Sequence, residues 1–317
     1  MRYIISLLLT STAAFAEAPR VVADMPPVHA LVAQVMGDLG QPELLLEKGA
    51  NAHSFQLRPS QAAALQAADL VVWIGPEMTP WLERALDGTT TARQLRLLSA
   101  DGTYRQPYGA KPDQDGDHDH GNDHADDHGK GHAEDHDAEG HDGHAHGGLD
   151  PHAWLDPANA ALWLGLIATE LSAIDPENAA TYGANAEAAR ADLAALDAEL
   201  AATLAPARGK PLVVFHDAYG YFAGHYGLTI AAALAEGDAA GPGARHIAEI
   251  EALLRQGPVC LFPEANHDPK LVAQLADSTG LTPAGALDPE GALLDPGPGL
   301  YAGLLRGMAG TIADCAK

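Results

Sequence analysis

Hydrophobic positions along this chain follow two alternating rhythms. Short unbroken apolar runs at Arg20–Ala23, Pro42–Leu46, Asp69–Gly75, Pro211–Phe215 and Val259–Phe262 read as strands. The third run, DLVVWIG, ends at a glycine and suits a strand buried in a parallel sheet. Helical spacing is predicted over His29–Leu39, Pro59–Ala68, Pro157–Ala173, Ile247–Gln256, Asp268–Ser278 and Gly299–Cys315, with Ser60 a candidate cap for the second of these. Strands that alternate with helices imply βαβ units and parallel sheets, so the fold class is α/β.

One periodic stretch is much longer. From Pro176 to Leu204 the chain is rich in Ala, Glu and Leu, and Leu193, Leu196, Leu200 and Leu204 fall on one helical face. Such a helix spans on the order of 40 Å at 1.5 Å per residue, long enough to run along two lobes. A length of 317 residues also suits two domains rather than one. The expected division is a signal segment over 1–16, an N-terminal lobe over 17–175, a linker helix over 176–204 and a C-terminal lobe over 205–317.

The pattern stops between Lys111 and Gly148. That segment holds nine of the sixteen histidines and twelve acidic residues, with almost no apolar content. It cannot bury enough surface to fold and is expected to be a disordered, exposed loop. Its histidines, His118, His120, His124, His128, His132, His136, His141, His144 and His146, recur at short intervals among carboxylates. That arrangement makes a flexible, weak site for several cations.

Charge narrows the partners. A formal net charge of −25 repels nucleic acid and anionic lipid and attracts cations. No basic run follows a phosphate backbone, which excludes nucleic-acid binding. At the N-terminus Arg2, the apolar Tyr3–Leu9 and the Ala14-Phe15-Ala16 cleavage pattern predict a secretory signal, with no Cys after it to carry a lipid. No later stretch is expected to reach the ~18 apolar residues of a membrane span. In an exported chain the two cysteines, Cys260 and Cys315, either pair into one disulfide or remain as buried thiols.

Three histidines stand where ligands belong in such a fold. His53 lies in the loop after the second strand, His152 follows the low-complexity segment, and His216 ends a strand. Crevices beyond the carboxyl ends of parallel strands are the usual place for ligands. Neutral imidazole favours Zn²⁺ over Mg²⁺, Ca²⁺ or Mn²⁺. Spacing alone does not join the three, since they are far apart in sequence. Asp156 and Asp217 are candidates to orient ligand imidazoles, with helix capping as the alternative. His225 is a candidate neighbour of the site, and His29, His246 and His267 are read as structural or surface residues.

The motifs around these histidines carry a family resemblance. GANAHSFQLRPSQAAALQAADLVVWIGPEM (Gly49–Met78), DPHAWLDP around His152 and FHDAYGYFAGHYGL around His216 resemble the ligand motifs of cluster A-I metal-binding proteins of ABC importers. The acidic, His-rich insertion before the second motif is similar to that of the zinc branch, the ZnuA-like proteins. The resemblance covers essentially the whole mature chain. It implies two α/β lobes joined by one rigid helix, with the metal in the cleft between them. It implies His53, His152 and His216 as zinc ligands, and Asp288 (in ALDPEG) as a fourth, bound directly or through water. It also implies a Cys260–Cys315 disulfide. The function implied is a periplasmic, monomeric solute-binding protein that delivers Zn²⁺ to a permease with its ATPase and exchanges it with a periplasmic zinc metallochaperone. Some zinc-branch members carry Glu just before the first ligand; here Ala52 stands there. Manganese-branch relatives carry a carboxylate at the third ligand; here it is His216, which argues against the manganese alternative. A zinc hydrolase is the runner-up from another class, yet no HExxH and no nucleophile elbow is present. An adhesin or extracellular metal buffer is the third reading.

Overall fold

The structure, a computed structural model, describes residues 18–52, 55–88, 90–109, 148–235 and 242–317. The signal segment, His53 and the histidine-rich insertion up to residue 147 lie outside the described residues.

In the first half, β1 (Val21–Ala23), β2 (Glu43–Leu44), β3 (Leu70–Trp73) and β4 (Arg93–Arg96) form a parallel sheet in the order β2-β1-β3-β4. The two central strands are buried throughout, which is why VVA and LVVW carry no polar residue. β4 is an edge strand of sequence RQLR, mostly exposed, so no apolar run announces it. The helices α1 (Pro26–Met36), α2 (Pro59–Ala67), α3 (Pro80–Leu86) and α4 (Pro157–Ile174) all open with proline in the first turn. Proline's missing N–H and fixed φ cost nothing there. For α1 this moves the start three residues ahead of the expected His29. For α2 it corrects the expected cap: Pro59 is the first helical residue, so Ser60 falls inside and Arg58 takes the cap position. The Gln61 side chain then accepts the Arg58 N–H at 2.9 Å.

α4 is long and apolar enough to cross a membrane by length and composition, with mean hydropathy 1.2, contrary to the sequence expectation. Here it is a packed helix: Trp163, Leu164, Ile167 and Leu171 are buried, and its main neighbour is the long helix α5 (Ala179–Leu204).

α5 follows a short 3₁₀ turn at Pro176–Asn178 and runs 26 residues, about 39 Å at 1.5 Å per residue. Tyr182, Ala186, Ala189, Leu193, Leu196, Leu200 and Leu204 form its buried stripe. Steps of three and four residues keep that stripe on one side.

In the second half, β5 (Pro211–His216), β6 (Thr229–Ala235) and β7 (Cys260–Leu261) form a second parallel sheet, ordered β6-β5-β7. Around it lie α6 (Gly220–Tyr226), α7 (Ala244–Leu254) and α8 (Lys270–Thr279). Val213, Leu234, Ile250, Leu254, Leu261 and Val272 make a small core between this sheet and α7 and α8. The last helix, α9 (Leu300–Cys315), behaves differently: it packs on α5 and α1. Its Leu304, Leu305 and Met308 join the main core that contains Val28, Leu31 and Leu196. The long helix and α9 therefore give the two sheets one shared apolar backing. Cys260 and Cys315 are bonded, with Cα atoms 6.0 Å apart, and this ties α9 to the strand β7. Closing a loop of this length stabilises the fold by roughly 4 kcal/mol in the chain-entropy model.

Candidate metal centre

His216 is the last residue of β5, the central strand of its sheet. Its ring is buried at 2% exposure and emerges at the carboxyl end of that sheet. His152 comes from the other half. It precedes the 3₁₀ turn Ala153–Leu155 and is fully buried. The two rings meet with centroids 5.3 Å apart and Nε2 atoms 3.4 Å apart.

Each ring is held from behind by a carboxylate. Asp150 Oδ1 accepts both the His152 backbone N–H at 3.0 Å and Nδ1–H at 2.8 Å. Glu264 Oε2 accepts Nδ1–H of His216 at 2.5 Å and the Tyr219 hydroxyl at 3.3 Å. With Nδ1 donating on both rings, Nε2 carries the lone pair, which is the tautomer a metal needs. The spacing then becomes informative. Two nitrogens at 2.0–2.1 Å from a tetrahedral Zn²⁺ stand about 3.3–3.4 Å apart. The observed 3.4 Å between the Nε2 atoms is that separation.

The shell outside these carboxylates is polar and closely packed. Gln106 Nε2 donates to Asp150 Oδ2 at 3.3 Å, and the Tyr221 hydroxyl donates to the Asp150 carbonyl at 2.9 Å. Gly220 opens α6 directly against this pair; a Cβ there would collide with Gln106 Nε2 and crowd Asp150. Burial raises the Tyr219 hydroxyl well above its ordinary pKa, and the Glu264 charge adds to that, so it stays a donor.

The expected ligands divide as follows. His152 and His216 are brought together. His53 lies outside the described residues, but its flanks are anchored. Trp81 Nε1 donates to the Ala52 carbonyl at 2.7 Å, and the Phe55 ring lies 5.1 Å from that of Trp81. The preceding loop touches the second half: Gly49 N donates to Ala292 O at 2.8 Å. Asp288 follows Leu287, which bridges in parallel to Glu264. Its two oxygens accept the backbone N–H groups of Ala292 and Leu293 at 2.9 and 3.0 Å, so it shapes the turn beside the site.

Four neighbouring residues are placed as follows, Asp156 in the capping role that stood as its alternative. Asp156 and Asp217 do not hold the ligand rings. Asp156 caps α4 through Ala158 N at 2.8 Å, and Asp217 accepts Gly109 N at 3.1 Å. Asp217 directly follows His216, and neighbours on an extended chain point to opposite sides. Burial and the nearby Asp150 charge raise the Asp217 pKa. His225 bonds Asp156 through Nδ1 and Asp197 through Nε2, both at 2.9 Å, away from His216. His267, read as structural or surface, instead lies 5.8 Å from His216 between ring centroids and groups with His216 and Glu264. By contrast, His29 and His246 do bond backbone carbonyls, Pro42 O and Ala233 O.

The insertion also has a defined base. Pro107 and Leu149 pair across an antiparallel bridge, and Tyr108 N donates to Gly148 O at 3.1 Å. The Tyr108 ring lies edge-on to His152 with centroids 6.3 Å apart. The histidine-rich segment therefore enters and leaves the fold beside a candidate ligand.

Residues 21–315 match the family described as ZnuA, zinc-uptake complex component A, periplasmic. The high-affinity zinc uptake system protein ZnuA of Paracoccus denitrificans is 53% identical over 306 residues, 95% of this chain and 92% of that one. Its counterpart in Brucella abortus is 37% identical over 309 residues, 94% and 92% of the two chains. Among solved structures, a crystal structure of ZnuA shares the fold with a TM-score of 0.73 at 23% identity, covering 95% of this chain and all of that one.

Proposed function

Since this chain belongs to the family of periplasmic zinc-uptake component A, we propose that it captures Zn²⁺ between its two lobes for high-affinity uptake by an ABC importer. The cargo is handed to a permease driven by its ATPase. His53, His152 and His216 are the ligands, and Asp288 closes the fourth position. The observation that carries this reading is the pair of Nε2 atoms 3.4 Å apart, each set as acceptor by a carboxylate on Nδ1.

Selectivity follows from the donor set. Imidazole nitrogen suits Zn²⁺, whereas Mn²⁺ favours carboxylate oxygen. The two carboxylates nearest the rings are engaged with Nδ1 atoms, so they position ligands rather than activate water. That separates a carrier site from a zinc hydrolase, which needs a base beside the bound water.

The remaining parts follow the same logic. Residues 1–16 act as a cleavable signal, 17–175 and 205–317 form the lobes, and 176–204 is the connector. The chain works as a monomer and exchanges zinc with a periplasmic metallochaperone. The insertion from Lys111 to Gly148 gathers zinc through weak, multiple histidine sites.

The test is a competition between Zn²⁺ and Mn²⁺ on purified mature protein. One zinc per chain should resist a large excess of manganese. Equal displacement by manganese would refute the zinc assignment.

A further inference from the structure

Glu264 has a second oxygen that the site above does not use. While Oε2 holds His216, Oε1 faces His267 Nε2 at 3.4 Å. That distance is longer than a charge-assisted hydrogen bond, which closes to about 2.7–2.9 Å. It equals the separation of two donors sharing one tetrahedral zinc ion, about 3.3–3.4 Å. One donor atom from each of His216, Glu264 and His267 lies within 4.8 Å of the other two.

The local chain fixes this arrangement. Glu264 follows β7, and its backbone is held by the parallel bridge to Leu287. A turn carries the chain back, with His267 N donating to Glu264 O at 3.3 Å. The His267 ring packs on Phe215, centroids 4.5 Å apart, which sets its direction. Glu264 is buried at 4% side-chain exposure, while His267 reaches the surface at 28%.

We infer that Glu264 Oε1 and His267 Nε2 form a second, weaker zinc site on the outer side of His216. This rests on the reading of His152 and His216 as zinc ligands. Two protein donors leave at least two zinc positions to water, so the site binds less tightly than the buried one. Mixed nitrogen and oxygen donors still suit Zn²⁺. Its place is between solvent and the ring of His216, which makes it a staging position for an ion entering or leaving.

The experiment is anomalous diffraction at the zinc edge, from crystals of the full mature chain equilibrated with zinc chloride at one and at several equivalents. At one equivalent a single peak should appear between His152 and His216. At several equivalents a second peak should appear between Glu264 and His267. In the His267→Gln protein the second peak should vanish and the first remain. A first peak with no second one at high zinc would overturn the inference and leave the proposed function intact. Loss of both peaks in His267→Gln would also overturn it, because His267 would then serve the buried ion. Absence of the first peak in the unaltered protein would overturn the proposed function itself.

Discussion

His152 and His216, 64 positions apart in sequence, place their Nε2 atoms 3.4 Å from each other. Neither residue reaches this position alone. One follows the base of an insertion, and the other terminates a central strand. The carboxylates of Asp150 and Glu264 turn two ordinary rings into a pair of aligned donors.

That alignment predicts a graded response at Glu264. In Glu264→Gln the amide oxygen still accepts Nδ1–H of His216, so only the negative charge is lost. In Glu264→Ala both the charge and the orientation are lost. Zinc affinity should fall about tenfold in the first and nearer a hundredfold in the second, the range for residues that support metal ligands. Competition against a fluorescent chelator measures both. Equal affinities in all three proteins would remove Glu264 from the account.

His225 predicts a pH-dependent weld between the lobes. Its nitrogens bond Asp156 at the start of α4 and Asp197 on α5, while the ring itself sits on α6. The hydrogen bond that His225 donates to Asp156 is the largest of the causes that raise its pKa above 6.5, and Asp197 adds to it. A base with a raised folded-state pKa stabilises fully below its unfolded value, and that gain is lost as pH climbs through the folded value. The stability advantage over His225→Gln should therefore be larger at pH 6 than at pH 9. Denaturant midpoints at the two pH values provide the check; an advantage independent of pH would refute the weld.

The disulfide predicts a stability effect. Native protein, unfolded without reductant, should show no reactive thiol. Replacing both Cys260 and Cys315 by Ser should cost up to about 4 kcal/mol of stability, since a loop of this length is then released in the unfolded chain. Two titratable thiols in the native protein, or an unchanged denaturant midpoint in the double variant, would contradict this.

Sequence reading reached the elements whose residues answer to one constraint. β1, β3 and β5 are covered on both sides, so their runs are unbroken and readable. The stripe Leu193, Leu196, Leu200 and Leu204 was equally plain. β6 was not: its sequence TIAAALA favours helix, and pairing with β5 overrides that preference. β4 was hidden by its exposed arginines. At the site, His152 and His216 are legible through their motifs, but Asp150 and Glu264, which hold their rings, are not. Asp150 could have been found as the acid two residues ahead of His152. Glu264 carries a subtler signal, a lone carboxylate just past a buried apolar strand. His267 reads only as a structural or surface residue because a histidine in a polar turn gives no periodic cue, and its direction comes from the Phe215 contact.

The central claim is that one tight zinc ion sits on the histidines of the cleft and not on the insertion. Zinc competition titration at one equivalent tests it on four proteins: the mature chain, His152→Ala, His216→Ala, and the chain lacking residues 111–147. Tight binding should be lost in both alanine variants, because each removes one of few donors to a four-coordinate ion. It should persist within about twofold in the shortened chain, which keeps every proposed donor of the cleft. Retention of tight binding in His152→Ala and His216→Ala, with its loss in the shortened chain, would contradict the account.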